Sequence, residues 1–316
     1  MNLAGNPVSI ASMKMKSFRL ALCAYNLCSG GASRDAFLAG IDARMARAKT
    51  DGARLLVLPE YLSEAFLAWK PDGLLPTQEL GWMAAEARAL LPHLNDLVAK
   101  HDISLLAGSM PWPAPDGADG HVNRAFALLA DGREIVHDKL ALTPFEMDPE
   151  TWLLTPGAQV PLFEGVRMAM LICLDIEMPA LSCLIARDAP DVLLVPSMTS
   201  SLAGYHRVFG CAKARAVELM GAVAVCGVVG AAPGTTQNDT NVSGAALYLP
   251  CEPSLGYTGI GGELQPVDGM AGDEPFLVVD VPVGEIRNLR AGGAEVWPGA
   301  WSAAGVSLRN ARKDAR

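Results

Sequence analysis

The chain has 316 residues, of which 51% are hydrophobic and 19% charged, a balance typical of a globular protein with more apolar content than average. Its formal charge at pH 7 is −9, and no dense run of lysine and arginine interrupts the sequence, which argues against a nucleic-acid-binding surface. A chain of this length buries a large core, and α/β folds of this size often form one domain.

The beginning of the chain, residues 1–17, is predicted to be a flexible leader before the first strand. Lys14, Lys16 and Arg19 interrupt its apolar residues, so it lacks the pattern of a signal peptide. The apolar stretch 222–233 is too short, at about 12 residues, to span a bilayer. We therefore predict a protein without a membrane partner.

Strand-like and helical runs alternate through the first half of the chain. A helix is predicted over 33–53, with Ser33 as its N-cap, because apolar residues recur on one face: Phe37, Ile41, Met45 and Ala48. A second helix, over 79–101, is predicted to break or kink at Pro92. The pair Asp131-Gly132 predicts a hairpin turn. Apolar runs predict strands at 18–26, 55–60, 103–109, 124–130 and 133–139.

The second half continues this alternation, so we predict one α/β domain over 18–290, with mixed sheets covered by helices. Helices are predicted at 180–189 and 207–221, the second ended by Gly221. The span 251–274 is rich in glycine and proline and is predicted to be a loop. Its GIGGEL segment lacks the strand and helix that flank a phosphate-binding loop. Apolar runs predict strands at 166–173, 191–197, 222–230, 243–250 and 275–281.

The cysteines and histidines do not form the pattern of a disulfide framework or a metal site. The seven cysteines are odd in number, have no CxxC spacing and lie mostly in apolar surroundings, which indicates reduced thiols in the cytosol. The five histidines have no HxxxH spacing; a zinc site built from distant residues stays open, but no pattern favours one. We predict a cytoplasmic protein without a cofactor or metal.

Three reactive side chains stand at the ends of predicted strands, where open α/β folds bind ligands: Glu60, Lys139 and Cys173. Singly, each has a plain interpretation as a loop carboxylate, a solvated lysine or a buried small thiol. Together their chemistry is complementary, because a thiolate is a nucleophile, a carboxylate accepts its proton, and an ammonium stabilises the anions that follow. The backbone N–H of Leu174 is a candidate second donor to a developing oxyanion.

Other residues beside these segments have structural interpretations at least as strong as functional ones. Asp175 is expected to hold the turn after Cys173 through backbone hydrogen bonds. Arg215 and Glu218 are expected to form an ion pair that anchors their helix near the site. Candidates for lining a substrate pocket, each equally consistent with plain packing, are Tyr61, Trp152, Ser197 and Met198.

The segments LLVLPE, HDKLALTPFE and LICLDIEMP, in this order, resemble the three signature segments of the nitrilase superfamily of carbon–nitrogen hydrolases. The resemblance extends over about residues 18–290. The form Cys-x-Asp-Ile-Glu-x-Pro at 173–179 resembles a branch of predicted amidohydrolases. Glu177 there replaces a cation that many relatives have near the pocket.

The resemblance implies roles for four residues. Glu60 would be the general base, Lys139 the stabiliser of the tetrahedral intermediate, and Cys173 the nucleophile. A second glutamate that positions the substrate is best matched by Glu146, although Phe145 stands where the family often has glycine. The implied fold is α/β, a four-layer α-β-β-α sandwich with two mixed β-sheets.

The resemblance also implies a homodimer or larger homo-oligomer. The tail, residues 291–316, contains Trp297 and Trp301, which would be costly to leave exposed, so packing on a neighbouring subunit is one use for it.

The implied activity is cofactor-free hydrolysis of a small amide to an acid and ammonia or an amine, through a cysteine thioester. Three alternatives stay open: nitrile hydrolysis by the same residues, acyl transfer to an amine, and a non-catalytic scaffold that retains the fold. The physiological substrate is not apparent, because the loops that shape a pocket are the least readable part of a single sequence.

Overall fold

The structure is a computed structural model that describes residues 15–115, 120–163, 165–235, 239–295 and 303–307. Most of the predicted leader and tail, including Trp297 and Trp301, lies outside these described residues.

The first half of the chain builds five of the six strands of one sheet, together with three α-helices. Its strands are β1 Phe18–Cys23, β2 Leu55–Val57, β3 Ser104–Pro113, β4 His121–Leu128 and β5 Glu134–Asp138. Its helices are α1 Arg34–Thr50, α2 Pro76–His101 and the short α3 Pro144–Met147.

The second half builds the other sheet, its helices and the last strand of the chain, which pairs with β1 at the edge of the first sheet. Its strands are β6 Leu162–Phe163, β7 Met168–Met170, β8 Val192–Ser197, β9 Ala222–Gly227, β10 Ser243–Tyr248, β11 Ile260–Val267 and β12 Phe276–Val281. Its helices are α4 Pro179–Ala186, α5 Leu202–Glu218 and α6 Val283–Asn288.

The described strands form two six-stranded sheets, in the orders β12-β1-β2-β3-β4-β5 and β11-β10-β9-β8-β7-β6. Each sheet has three parallel strands at its centre, β1-β2-β3 in one and β7-β8-β9 in the other, and antiparallel strands outside them. Both sheets are therefore mixed, and the ends of the central strands carry the loops that build the site.

Two cores hold the layers together. The outer face of the first sheet packs against α1 and α2, with Ile41 and Met83 in contact with the same cluster as Leu56. The inner faces of both sheets and the helix α5 share the second core, which includes Leu22 and Leu194. This arrangement confirms the predicted α-β-β-α sandwich.

Helix α1 shows how local sequence dictates this packing. The hydroxyl of Ser33 accepts a hydrogen bond from the N–H of Ala36 and caps the helix as predicted. The residues predicted to form its apolar face are the ones that the structure buries: Phe37, Ile41, Met45 and Ala48. The predicted hairpin at Asp131-Gly132 is also confirmed, with β4 antiparallel to β5 and Gly132 at a φ of +85°.

The prediction of a loop over 251–274 was wrong, because β11 lies inside it and pairs with β10 at the edge of the second sheet. Its glycines serve close packing: a Cβ on Gly261 would come within 2.9 Å of the Leu247 side chain, and one on Gly262 within 2.8 Å of Val279. The glycines packed in this edge strand therefore give the segment 251–274 a composition that is typical of a loop.

Two predictions about helices also need correction. Of the break or kink predicted at Pro92, the break is absent: helix α2 runs through Pro92 as one element, and residues on both sides of the proline, Leu90 and Leu94, are buried in the same core. Helix α5 ends at Glu218, before Gly221. Gly221 is needed for another reason, since a Cβ there would lie 2.9 Å from the carbonyl oxygen of Pro190.

Candidate active site

The Glu60 segment leaves the end of β2 and is held by an irregularity in the neighbouring strand. The β3–β4 register shifts between Leu106 and Ser109, which marks a bulge beside Glu60. Within it, Gly108 has a φ of +70°, and a Cβ there would lie 2.0 Å from the carbonyl oxygen of Pro59. Only glycine permits this close approach, which sets the position of the Glu60 carboxylate.

The Lys139 segment follows the β4–β5 hairpin, whose register places Asn123 opposite Lys139. The N–H of Lys139 donates to the carbonyl oxygen of Asn123 at 2.9 Å. The side-chain Nζ of Lys139 is buried and donates to Glu60 Oε1 at 2.8 Å and to Glu146 Oε2 at 2.7 Å. One ammonium thus bridges two carboxylates that come from separate segments.

Glu146 is positioned by the start of α3. Its N–H donates to the hydroxyl of Thr143, and its carboxylate accepts the N–H of Thr143 at 2.8 Å, which is a capping box. The same carboxylate accepts hydrogen bonds from Lys139 and, at 2.5 Å, from the hydroxyl of Tyr61. The structure therefore brings Glu146 into the cluster with Glu60 and Lys139.

Cys173 begins the 3-10 turn Cys173–Glu177, three residues after β7 ends at Met170, so the prediction of a strand up to residue 173 was too long. Its φ of +47° is left-handed, a conformation that is unfavourable for a residue with a side chain. The thiol is buried, lies 3.4 Å from the carbonyl oxygen of Met198, and interacts with Glu60 and Lys139. The predicted convergence of these three side chains is therefore present.

The charges of the cluster shift its pKa values in a way that matters for proton transfer. Burial, opposed by Lys139 and reinforced by Glu146, raises the pKa of Glu60 to about 7. Burial also opposes ionisation of Glu146, but Lys139 and the hydrogen bonds to its carboxylate hold its pKa below the ordinary value. Burial and the nearby Glu60 raise the pKa of the Cys173 thiol well above its ordinary value, so the resting sulfur is protonated.

An aromatic pair lies against the cluster. Tyr61, which donates to Glu146, also has a left-handed φ of +50°. The Trp152 ring is 4.8 Å from the Tyr61 ring, centroid to centroid, and is buried. The Trp152 Nε1–H has no hydrogen-bond partner among the described residues, which leaves a donor available beside the cluster.

The remaining predicted pocket residues differ in their surroundings. Met198 contributes its carbonyl oxygen to the Cys173 thiol, and its side chain packs partly buried against the core. Leu174 is half-buried directly after the cysteine. The hydroxyl of Ser197 is buried and donates to the carbonyl oxygen of Cys226, a contact within the sheet.

Asn123 is a site residue that the sequence prediction missed. Its side-chain Nδ2 donates to Glu60 Oε1 at 2.9 Å and to Glu146 Oε1 at 3.3 Å, so it joins the two carboxylates as Lys139 does. The sequence signal that could have found Asn123 is the length of the hairpin. Counting outward from the turn at Asp131-Gly132 places Asn123 opposite Lys139.

The structural interpretations of the neighbouring residues are confirmed. Asp175 is fully buried and accepts hydrogen bonds from backbone N–H groups, as expected. Arg215 pairs with Glu218 at 2.8 Å and also donates to the carbonyl oxygen of Ile176, which ties α5 to the cysteine turn. Glu177 pairs with Arg207 at 3.3 Å.

The cluster has the parts that acyl transfer needs. A carboxylate with a pKa near neutrality can receive and return a proton, an ammonium held by two anions can stabilise an oxyanion, and a thiol in reach of both can attack a carbonyl carbon. Among the described residues, no three His, Cys, Asp or Glu side chains are grouped so that they could hold a metal ion.

Comparisons with known proteins give a family match and several similar proteins. The model of the carbon-nitrogen hydrolase family matches residues 19–248. The chain is 30% identical over 201 residues to the probable hydrolase YhcX of Bacillus subtilis, a match that covers 63% of this chain and 37% of that protein. It is 26% identical over 177 residues to the deaminated glutathione amidase of Synechocystis sp., covering 53% and 62%. The chain thus spans less than two thirds of each of these curated relatives.

Solved structures resemble the fold over most of its length. A cysteine-to-alanine mutant of the amidase from Nesterenkonia sp. AN1, in complex with butyramide, has a TM-score of 0.64 at 25% identity and covers 88% of this chain and 96% of its own. A cysteine-to-serine mutant of the same amidase, from the nitrilase superfamily, has a TM-score of 0.63 at 25% identity, covering 87% and 95%.

Proposed function

The chain belongs to the carbon-nitrogen hydrolase family, and from this premise we propose that it hydrolyses a non-peptide carbon–nitrogen bond of a small amide. The observation that supports this most directly is the Lys139 ammonium, bonded at once to Glu60 and Glu146, with the Cys173 thiol in reach. The proposed products are a carboxylic acid and ammonia or an amine, formed through a thioester on Cys173.

In the first half of the proposed reaction, Glu60 takes the proton of the Cys173 thiol as the sulfur attacks the amide carbon. Because the pKa of the thiol is raised, this proton transfer accompanies the attack. The oxyanion of the tetrahedral intermediate accepts hydrogen bonds from Lys139 and from the N–H of Leu174. Glu60 then gives its proton to the leaving nitrogen, the carbon–nitrogen bond breaks, and the thioester remains.

In the second half, Glu60 removes a proton from a water molecule as the water oxygen attacks the thioester carbon. The carbon–sulfur bond breaks, the acid leaves, and Glu60 returns the proton to the sulfur. Glu60 thus alternates between acid and base, which a pKa of about 7 suits. Glu146 keeps Lys139 in place and is available, with Trp152 and Met198, to position the substrate.

Small aliphatic amides are the proposed substrates, because the structurally similar Nesterenkonia amidase is described in complex with butyramide. The Cys173 residue is only 6% exposed, which favours a small substrate over a large one. Nitrile hydrolysis by the same residues is the alternative, and matched amides and nitriles of the same carbon chain separate the two.

A non-catalytic scaffold is the alternative of another class. The convergence of the charges on a thiol weighs against it, because a scaffold has no use for a nucleophile beside two carboxylates and an ammonium whose burial costs several kcal/mol per ion. Brief exposure to 2-chloroacetamide followed by peptide mapping separates the two, with the exposed Cys28, Cys183 and Cys251 as internal references. Selective modification of Cys173 supports catalysis, whereas labelling of the exposed thiols alone supports the scaffold.

The experiment that tests the proposal is the substitution Cys173→Ala, assayed by ammonia release from butyramide and related amides. We expect turnover to be lost and the circular-dichroism spectrum to be retained. The matched control is Cys183→Ala, since Cys183 is exposed on α4, and it should keep full activity. Intact-mass analysis during turnover should show an acyl adduct on the wild-type chain and none on Cys173→Ala. Retained hydrolysis in Cys173→Ala would refute the proposed nucleophile.

Self-association and location complete the proposal. We propose a cytoplasmic homodimer or larger assembly, and the exposed apolar side chains of Leu184 on α4 and Leu202 and Val217 on α5 support association through these helices. No helix in the described parts of the chain is both long and apolar enough to cross a membrane. Sedimentation velocity of the purified chain tests the assembly, and a monomer at micromolar concentration would contradict it.

A further inference from the structure

A single buried carboxylate connects the two segments that carry Lys139 and Cys173. Asp175 is fully buried, and its Oδ1 accepts the N–H groups of Leu140 at 3.1 Å and Ala141 at 2.6 Å. Its Oδ2 accepts the N–H of Ile172 at 3.0 Å. The partners of one carboxylate are therefore the two residues after Lys139 and the residue before Cys173.

His137 makes the same connection from the other side of Lys139. Its side chain is fully buried, with Nε2 3.3 Å from Asp175 Oδ2 and Nδ1 3.2 Å from the carbonyl oxygen of Gln159. Both ring nitrogens face oxygen atoms, so the ring spans a fixed gap between the cysteine turn and the segment that passes over the end of β5. Lys139 is thus held by Asp175 through residues on both sides of it.

These contacts bear directly on the geometry of the thiol. Cys173 has a left-handed φ of +47°, a conformation that costs of order 1–3 kcal/mol and persists only where the surroundings enforce it. The Asp175 carboxylate restrains the residue before Cys173 and lies two residues after it. The Asp175 carboxylate therefore enforces the turn at Cys173 and sets the distance between that turn and the Lys139 ammonium.

We infer that Asp175 and His137 are positioning residues, which fix the position of the Cys173 sulfur relative to the Lys139 ammonium and the Glu60 carboxylate. The inference rests on the proposed function, because it assigns them an effect on the chemistry of that site. A positioning role predicts a loss in turnover that exceeds any loss in stability, since a displacement of about 1 Å costs on the order of 10²-fold in rate. A merely structural role predicts a loss in stability alone.

Asp191 provides a matched control elsewhere in the same fold. It is also a buried aspartate that accepts a backbone N–H, from Arg167 at 2.9 Å, and it pairs with Arg287 and Arg290. It lies just before β8, at the opposite end of that strand from Met198, which contacts the thiol. The substitution Asp191→Asn therefore removes a comparable buried charge without touching the links to Cys173 or Lys139.

The test compares Asp175→Asn with Asp191→Asn by thermal unfolding, by steady-state kinetics on an amide that the wild type hydrolyses, and by the rate of Cys173 alkylation with 2-chloroacetamide. We expect both variants to lose thermal stability. Only Asp175→Asn should lose about 10²-fold or more in kcat, with KM changed less than about threefold, and the alkylation rate should fall with kcat. An Asp175→Asn variant with wild-type kcat and alkylation rate would overturn the inference.

His137→Gln keeps the test usable if Asp175→Asn does not fold. Glutamine retains one amide N–H that can reach Asp175 but cannot span to Gln159, so we expect roughly a tenfold loss in kcat with a small loss in thermal stability. Wild-type kcat in this variant would overturn the role of His137. The failure of the proposed function is distinguishable from both outcomes, because it would show as turnover that survives Cys173→Ala.

Discussion

Two neighbouring groups in this fold each combine two buried glutamates with one lysine, which is buried in the site and partly exposed in the other group. In the site, Lys139 donates to both Glu60 and Glu146. In the neighbouring group, Lys70 donates to Glu79 at 2.5 Å and to the carbonyl oxygen of Gly234, whereas both oxygens of Glu64 are buried without a hydrogen-bond partner among the described residues. The difference lies in how the lysine is shared.

The sharing decides the charge of each carboxyl group. Lys139 partly offsets the burial of Glu60, so its pKa is about 7, and holds the pKa of Glu146 low. Glu64 lacks such a partner, and burial together with repulsion from Glu79 and Glu60 raises its pKa to about 8. One group is thus poised for proton transfer near neutral pH, and the other holds a carboxyl group that is mostly neutral there.

The largest expected difference between the groups comes from removing each lysine. Lys139→Met should lower kcat/KM by about 10³-fold or more, because the oxyanion loses its donor and Glu60 and Glu146 lose their shared cation. Lys70→Met should keep kcat/KM within about threefold of wild type, although it too destabilises the fold by removing the cation that pairs with the buried Glu79 carboxylate. Steady-state kinetics at matched folded fractions checks this, and equal losses in both variants would mean that the two groups do not differ in function.

The pH dependence of turnover gives the next largest effect. Because Glu60 must be ionised to take the thiol proton in the proposed mechanism, kcat/KM should rise about tenfold per pH unit below a midpoint near 7 and level off above it. Glu64→Gln should leave this midpoint in place, because Glu64 does not exchange protons with the substrate. If the wild-type midpoint lies near 7 but the midpoint of Glu64→Gln does not, the ionisation that controls kcat/KM belongs to Glu64 and not to Glu60.

The smallest effect is on stability. The pKa of Glu64 is raised from an ordinary value of 4.5 to about 8, so the folded state binds this proton more tightly than the unfolded state. The stability that this contributes is present at low pH and is lost as the pH rises from about 4.5 to about 8.

The side chain introduced by Glu64→Gln cannot ionise. The melting temperature of this variant minus that of the wild type should therefore increase by roughly 5 °C in total as the pH rises from about 4.5 to about 8. The control is Glu79→Gln, which removes the partner of Lys70 and should lower the melting temperature. A constant gap between Glu64→Gln and wild type from pH 5 to pH 8 would contradict the raised pKa.

Much of the fold could be predicted because its signals are local. The apolar face of α1 and its Ser33 cap lie within one stretch of sequence, and the turn at Asp131-Gly132 fixes a hairpin by itself. The edge strand β11 could not be predicted, because its glycines are explained only by side chains that arrive from β10 and β12. The passage of α2 through Pro92 also depends on packing against a distant core.

The site residues also divide into those with a local sequence signal and those that depend on a remote partner. Glu60, Lys139 and Cys173 could be predicted to meet, because each follows a strand and strand ends share an edge of the fold. Asn123 and His137 could not, since each acts through a partner that is remote in the chain, Glu60 for one and Asp175 for the other. Their residue types alone are compatible with ordinary strand positions.

The β4–β5 hairpin, whose facing residues place Asn123 against Lys139, has a consequence for how this protein can tolerate insertions. Side chains alternate between the two faces of a strand, so one extra residue between the turn and Lys139 would send the ammonium to the opposite face of the sheet. An insertion of two residues would restore the face but shift the ammonium along the strand by about 7 Å. The number of residues between the turn and Lys139 is thus fixed by the position that the ammonium must take beside Glu60 and Glu146.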